Sequence, residues 1–369
     1  MRKCPWTRRA GGWQDGAMMK GLAILAAAGF LGIPMVLKAG PVPILPGEIP
    51  ARAKFSDPDY NIWCGSMVTG EDGKYHLFYS RWPASLGHLA WVTHSEVARA
   101  VADDPLGPYR HVEVVLPARG EDFWDGHCTH NPTIQCFDGK YYLYYMGNVG
   151  DGKAMKTLNW SHRNQQRIGV AVADSPAGPW KRMDEPLIQP TPGFHDALCL
   201  ANPSVVKRPE GGYLMVYKAV ADKGPKPFGG PVVHVVATSD SPTGPFEKRP
   251  DPVFTAAGSD FPAEDPFVWV EAGWYRAIVK DFRGHFTKAG PSLALFESQD
   301  GISWSPAVEA LVSKIGVKWE GGEWQELKKL ERPQLWFKDG RPEVLFCAVA
   351  DREDLNHSFL VAIPLRPAP

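Results

Sequence analysis

Thr129-His130-Asn131-Pro132-Thr133-Ile134 decides the architecture because the chain repeats it. The pattern returns as Leu200-Ala201-Asn202-Pro203-Ser204-Val205, as Ala263-Glu264-Asp265-Pro266-Phe267-Val268 and as Leu330-Glu331-Arg332-Pro333-Gln334-Leu335. A degenerate first copy, without the proline, is Trp63-Cys64-Gly65-Ser66-Met67-Val68. A proline followed by an apolar pair reads here as the signature of a short inner strand. A fixed period, here roughly 67 residues, is the mark of a repeat architecture.

Two further signatures recur between these copies in constant order. A turn and an aromatic strand follow each copy: Asp72-Gly73-Lys74-Tyr75, Asp138-Gly139-Lys140-Tyr141 and Glu210-Gly211-Gly212-Tyr213, then the weaker Ala272-Gly273-Trp274-Tyr275 and Lys338-Asp339-Gly340-Arg341. Asp-Gly between apolar runs marks a hairpin, because glycine accepts the positive φ of the turn. A closing loop then delivers an aromatic residue to an outer strand, as in Asp104-Pro105-Leu106-Gly107-Pro108-Tyr109, Ser175-Pro176-Ala177-Gly178-Pro179-Trp180 and Ser241-Pro242-Thr243-Gly244-Pro245-Phe246. Ser298-Gln299-Asp300-Gly301-Ile302-Ser303-Trp304 is its variant. Five such units over about residues 50–369 predict an all-β, five-bladed β-propeller with one four-stranded blade per unit. A β-sandwich would not explain this ordered grammar. Inserts at 149–166, 221–230 and 311–329 are expected to loop over one face.

The chain has 369 residues and balances 40 Lys and Arg against 41 Asp and Glu, with no long run of one sign; this excludes the basic stripe a nucleic-acid surface needs. The start reads as a targeting segment. Arg2, Lys3, Arg8 and Arg9 precede an apolar run from Gly21 to Ile33, and Ala39-Gly40 is a small-residue cleavage region. Residues 1–40 are therefore expected to be a signal peptide or N-terminal anchor and 41–369 the propeller. The expected location is secreted or periplasmic, without stable membrane insertion once the signal is cleaved. Cys128 and Cys199 each open a repeat copy, at equivalent places. A bridge between them and a pair of buried free thiols both fit.

In a propeller the first strand of every blade lines the axis, so residues far apart in sequence converge there. This brings together Asp59 and Trp63, then Trp124, Asp125, His127, His130 and Asn131, then Asp196 and Asn202, then Glu264 and Asp265, and finally Glu331 and Arg332. Lys280 and His285, on the strand and loop after the fourth copy, reach toward the same place. So many carboxylates and imidazoles are costly to desolvate without a function. Two carboxyl groups, one protonating a leaving oxygen and one activating water or attacking, are what glycosidic cleavage requires. Trp63 and Trp124 are candidate platforms for a sugar ring. His127, His130, Asp125 and Asp196 match no metal-ligand spacing, so no metal-binding residue is assigned.

The grammar resembles the five-bladed propeller enzymes of glycoside hydrolase family 43 and their relatives in families 32 and 117, over most of the chain after residue 50. The resemblance implies a glycosidase, exo-acting on plant or algal oligosaccharides or polysaccharides by single displacement. It places the general acid of a Glu-x-Pro motif at Glu331-Arg332-Pro333 and the base or tuning carboxylate at Asp265-Pro266. It implies no required cofactor, though a Ca²⁺ held largely by water in the central channel belongs to the group. The sequence departs where the family carries its first-blade Asp-Pro, because Cys64-Gly65 stands there. Asp59, Asp125, Asp196 or His130 would then supply the base. Two alternatives follow: a sugar-binding propeller without activity, and a polysaccharide lyase using His and Tyr.

Overall fold

A computed structural model of the chain describes residues 43–366. The expected signal or anchor at 1–40 lies outside the described residues. Among those described, no helix is long and apolar enough to cross a membrane.

Five four-stranded antiparallel sheets form the blades of a propeller, as the repeat predicts. Their inner strands are Tyr60–Thr69, Cys128–Phe137, Cys199–Lys207, Ala263–Glu271 and Lys329–Lys338. In blades 1–4 the three remaining strands follow in chain order. Blade 5 is completed differently. Its outermost strand is Lys54–Phe55, from the beginning of the described chain, paired with Phe359–Pro364. The last blade is thus closed by the segment preceding the first, which ties the ring together. The 311–329 insert forms the end of the blade 4 outer strand plus a small hairpin, Gly316–Lys318 with Trp324–Glu326.

Apolar side chains fill the spaces between blades. Phe78, Ile134, Leu143 and Trp180 pack blade 1 on blade 2; Phe137, Val205, Tyr213 and Tyr217 pack blade 2 on blade 3. Burying such aromatic surface supplies most of the favourable free energy of a sheet-on-sheet contact. The Asn-Pro position explains how the axis is built. Each inner strand slips register at one point, at Trp63/Ser66, His130/Thr133, Ala201/Ser204, Glu264/Phe267 and Glu331/Gln334. At each slip one residue is left-handed: Cys64 at φ 56°, Asn131 at 53°, Asn202 at 55°, Asp265 at 58° and Arg332 at 55°. Proline lacks the N–H that would continue the ladder, and Asn and Asp tolerate left-handed backbone best. The result is five equivalent β-bulges that turn five side chains onto the axis.

Cys128 and Cys199 are both buried and free, so no bridge joins them. The Cys128 thiol instead contacts the Trp91 carbonyl at 3.3 Å.

Candidate active site

The five bulge residues make a directional chain of hydrogen bonds around the axis. The Cys64 thiol donates to Asn131 Oδ1. Asn131 Nδ2 donates to Asn202 Oδ1 at 2.5 Å, and Asn202 Nδ2 to Asp265 Oδ1 at 2.8 Å. The backbone N–H of Arg332 donates to Asp265 Oδ2 at 3.2 Å, and its guanidinium Nη1 lies 3.5 Å from Asp265 Oδ1. Burial pushes the Cys64 thiol well above its usual pKa, so it stays protonated and remains a donor.

Asn131, Asn202, Asp265 and Arg332 line a cavity of about 220 Å³. The residues just before the bulges form its next layer: Trp63, His130, Glu264 and Glu331 all line it, while blade 3 contributes only Ala201 at this level. The second strands answer this layer with two lysines. Lys218 is paired in register with Ala201, and Lys280 with Glu264. Each lysine neutralises the glutamate of the following blade. Lys218 Nζ donates to Glu264 Oε1 at 2.6 Å, and Lys280 Nζ donates to Glu331 Oε1. Lys329 adds a second bond to the same Glu331 oxygen at 2.9 Å.

These pairs separate the three carboxylates electrostatically. Burial works to raise the Glu264 pKa, but Lys218 and then Lys280 hold it at about 2. Glu331 also lies below the ordinary value, because Lys280 and Lys329 outweigh its burial. Asp265 goes the other way, pushed up to about 6 by burial and then by Glu264, against the pull of Arg332. His130 stacks on Trp91 with ring centres 4.9 Å apart, and its Nδ1 meets Ser95 Oγ at 2.7 Å. Burial, then the Arg332 charge, drops its pKa far below the usual value and keeps the imidazole neutral. His88, held by burial at about 4, stands between Trp63 and Trp82.

The structure therefore brings together eight of the expected residues: Trp63, His130, Asn131, Asn202, Glu264, Asp265, Glu331 and Arg332 line one cavity. Lys280 joins them through Glu331. Six others lie elsewhere, each for a physical reason. Asp125 is fully buried against Tyr145 Oη at 2.7 Å, Arg119 at 2.6 Å and Arg182 at 3.3 Å. Asp196 repeats the device one blade on, with Tyr217 Oη at 2.9 Å, Lys248 at 2.5 Å and the Thr191 N–H at 3.0 Å. Both tie the entry loop of an inner strand to the tyrosine of its neighbour strand; neither faces the cavity. Asp59 is exposed in a separate surface hollow with Tyr60 and His357. Trp124 is a packing wedge, stacked on Tyr145 at 5.6 Å over Gly147 and Gly169, where a Cβ would lie 2.8 and 2.4 Å from its ring. His127 accepts the Gly150 N–H at 3.1 Å beside His162. His285 sits in a loop organised by Asp281, which accepts its N–H at 2.9 Å.

Sequence reading missed the far wall. Trp82, His88, Leu89 and Trp91 come from the end of the blade 1 second strand and the short helices after it, and Gln166 and Leu355 from other loops. Lys218 and Lys329 were missed too. A signal existed for Lys218: Tyr217-Lys218 and Val279-Lys280 are the same position in consecutive blades. The channel Ca²⁺ that the resemblance implies does not fit these residues. The only carboxylate in the axial ring, Asp265, already faces the Arg332 guanidinium, and among the described residues no group of three His, Cys, Asp or Glu side chains is placed to hold a metal.

No protein-family model and no curated protein matches the chain. Solved structures do. The chain is similar to Zg3597, a family 117 glycoside hydrolase of the marine bacterium Zobellia galactanivorans, at 18% identity and a TM-score of 0.58, over 88% of this chain and 89% of that one. It is similar to a thermostable family-43 glycoside hydrolase at 15% identity and 0.58, over 84% and 92%. It is also similar to an exo-1,5-α-L-arabinanase from a bovine ruminal metagenomic library at 16% and 0.53, over 84% and 99%. At these identities the likeness is one of architecture: the chain has the five-bladed propeller fold of glycoside hydrolases.

Proposed function

We propose that the axial cavity is the active site of a glycosidase that acts on the ends of oligosaccharide or polysaccharide chains outside the cytoplasm. One observation carries the reading: three carboxylates, Glu264, Asp265 and Glu331, meet in a cavity walled by Trp63, Trp82 and Trp91. At about 220 Å³ the cavity is smaller than the usual range for drug-sized ligands, which suits one terminal sugar better than the middle of a chain. Cleavage needs one protonated and one ionised carboxyl group. Asp265, with its pKa at about 6, is the group that keeps a proton closest to neutrality. Glu264 and Glu331, ionised by their lysines, are the groups suited to activating water. This reverses the part the resemblance implies for Glu331, because an acid clamped by two ammonium groups does not hold its proton.

The test is hydrolysis of an oligosaccharide panel by the native protein and by Glu264→Gln, Asp265→Asn and Glu331→Gln, with product analysis and the anomeric configuration read by NMR. Loss of about 10²–10⁴ in kcat/KM for Asp265→Asn and for at least one glutamine variant is expected, with inverted product. Full activity in all three variants sinks the assignment. A second reading, a sugar-binding propeller without activity, is favoured by Cys64 standing at the first-blade bulge. It predicts undiminished affinity in Glu331→Gln and no hydrolysis of any panel member. The lyase reading lacks its acid, since among the described residues no tyrosine lines the cavity.

A further inference from the structure

The cations around the cavity outnumber its carboxylates. Lys218, Lys280, Lys329 and Arg332 face Glu264, Asp265 and Glu331. Lys218 is spent on Glu264, and Lys280 on Glu331. Lys329 shares the Glu331 oxygen already held by Lys280 and keeps a third of its side chain exposed. Arg332 is more extreme. It is 1% exposed, lines the cavity, and none of its three guanidinium nitrogens has a hydrogen-bond partner. Its nearest carboxylate oxygen stands at 3.5 Å, outside good hydrogen-bond range. A buried guanidinium whose nearest groups, the Asp265 carboxylate and the Cys64 thiol, give it no good hydrogen bond is costly to maintain, and an anion offering two oxygens is what its fork fits.

We propose that the sugar bound in this cavity carries an anionic substituent, a carboxylate or a sulfate ester, recognised by Lys329 and Arg332. The inference rests on the cavity being a sugar site and adds the substrate class to that reading. A neutral sugar would leave the Arg332 guanidinium desolvated and without a hydrogen bond, whereas an anionic oxygen pair satisfies it and balances the surplus charge. The same surplus opposes a metal cation on the axis. The aromatic wall of Trp63, Trp82 and Trp91 is compatible with either source of charge, because it meets the ring face and not the substituent.

The test compares ligands that differ at one carbon. Methyl galactoside, methyl galacturonide and methyl galactoside 6-sulfate, with the corresponding gluco series, are titrated calorimetrically into the full chain at low salt. At least one acidic member should bind about tenfold or more tightly than its neutral parent, with the advantage shrinking as salt rises. Which acidic arm wins identifies the substituent. Lys329→Met, whose parent side chain is partly exposed, should keep the thermal midpoint and lose most of that preference. Arg332→Met, checked for folding by circular dichroism, should abolish acidic-sugar binding. Neutral parents binding as tightly as acidic ones would overturn this inference and leave the glycosidase proposal standing. An unchanged preference in Lys329→Met would overturn it as well. Binding of no sugar at all would remove both.

Discussion

Asp196→Asn separates a structural carboxylate from a catalytic one. Asp196 is fully buried, and its three partners are Lys248 Nζ at 2.5 Å, Tyr217 Oη at 2.9 Å and the Thr191 N–H at 3.0 Å. Removing one member of a buried ion pair costs about 3–5 kcal/mol, because the remaining charge is left desolvated. Three features pull the value toward the lower end. Lys248 keeps some exposure, it also donates to Gln189 O and Thr191 Oγ1, and burial already lowers its pKa, so it can shed its proton. The asparagine oxygen still accepts one bond, so one of the remaining two is lost, adding about 1 kcal/mol. The expected loss is roughly 3–4 kcal/mol. In a chain of this size, each kcal/mol lowers the melting temperature by about 2 °C, giving a drop of roughly 6–8 °C by scanning calorimetry. Below that temperature kcat/KM on the best panel substrate should be unchanged. A variant with native melting temperature and a hundredfold loss of kcat/KM would place Asp196 in the chemistry and refute the structural reading.

Other outcomes follow from the same contacts. Asp125→Asn should behave like Asp196→Asn in both readouts, since Tyr145, Arg119 and Arg182 hold it in the same way. Asp265 binds its proton more tightly folded than unfolded, with a pKa of about 6 against an ordinary 3.8. The contribution of Asp265 to native stability should therefore fall as pH rises from about 4 to 6, by roughly 3 kcal/mol at about 1.4 kcal/mol per pH unit, and the difference between wild type and Asp265→Asn in urea titrations should track that window. Phe55→Ala should lower the urea midpoint by the equivalent of about 3 kcal/mol at constant m. It removes the buried ring that meets Tyr79 edge-on at 4.9 Å in the strand closing blade 5.

The inner strands were legible because proline acts on the backbone directly. Pro132, Pro203, Pro266 and Pro333 each delete a ladder donor, so the bulge falls at the same residue wherever the dipeptide occurs. Cys64-Gly65 could be aligned without its proline because the Asp-Gly turn after it kept the period. The direction a side chain faces was not legible outside the strands. Asp125 and His130 are five residues apart in sequence, yet one faces the outer strands of its own blade and the other the cavity. The tyrosines at the matching positions Tyr145 and Tyr217, each waiting for a buried acceptor, were the usable clue. Lys54–Phe55 is too short for any periodicity to register, and only its pairing with Phe359–Pro364 reveals it. The segment after Trp82 escaped notice because its short helices carry no repeat at all.

The first-blade departure now has a physical account. Hydrogen bonds run one way around the axis, from Cys64 through Asn131 and Asn202 to Asp265, and the Arg332 backbone closes on Asp265 from the other side. Such a chain has room for one terminal acceptor. An aspartate at 64 in place of the protonated thiol would offer Asn131 Oδ1 no donor, and it would add a second buried charge to the ring. Arg332 carries one positive charge and already stands beside one carboxylate. With the acceptor end at Asp265 in blade 4, blade 1 presents a donor, and a buried thiol is a small side chain that does so without charge. Asp265 stands in the blade directly before that of Glu331. There burial raises its pKa and the two lysine-clamped glutamates that flank it add to the rise, so the donor at Cys64 and the raised pKa of Asp265 belong to one arrangement.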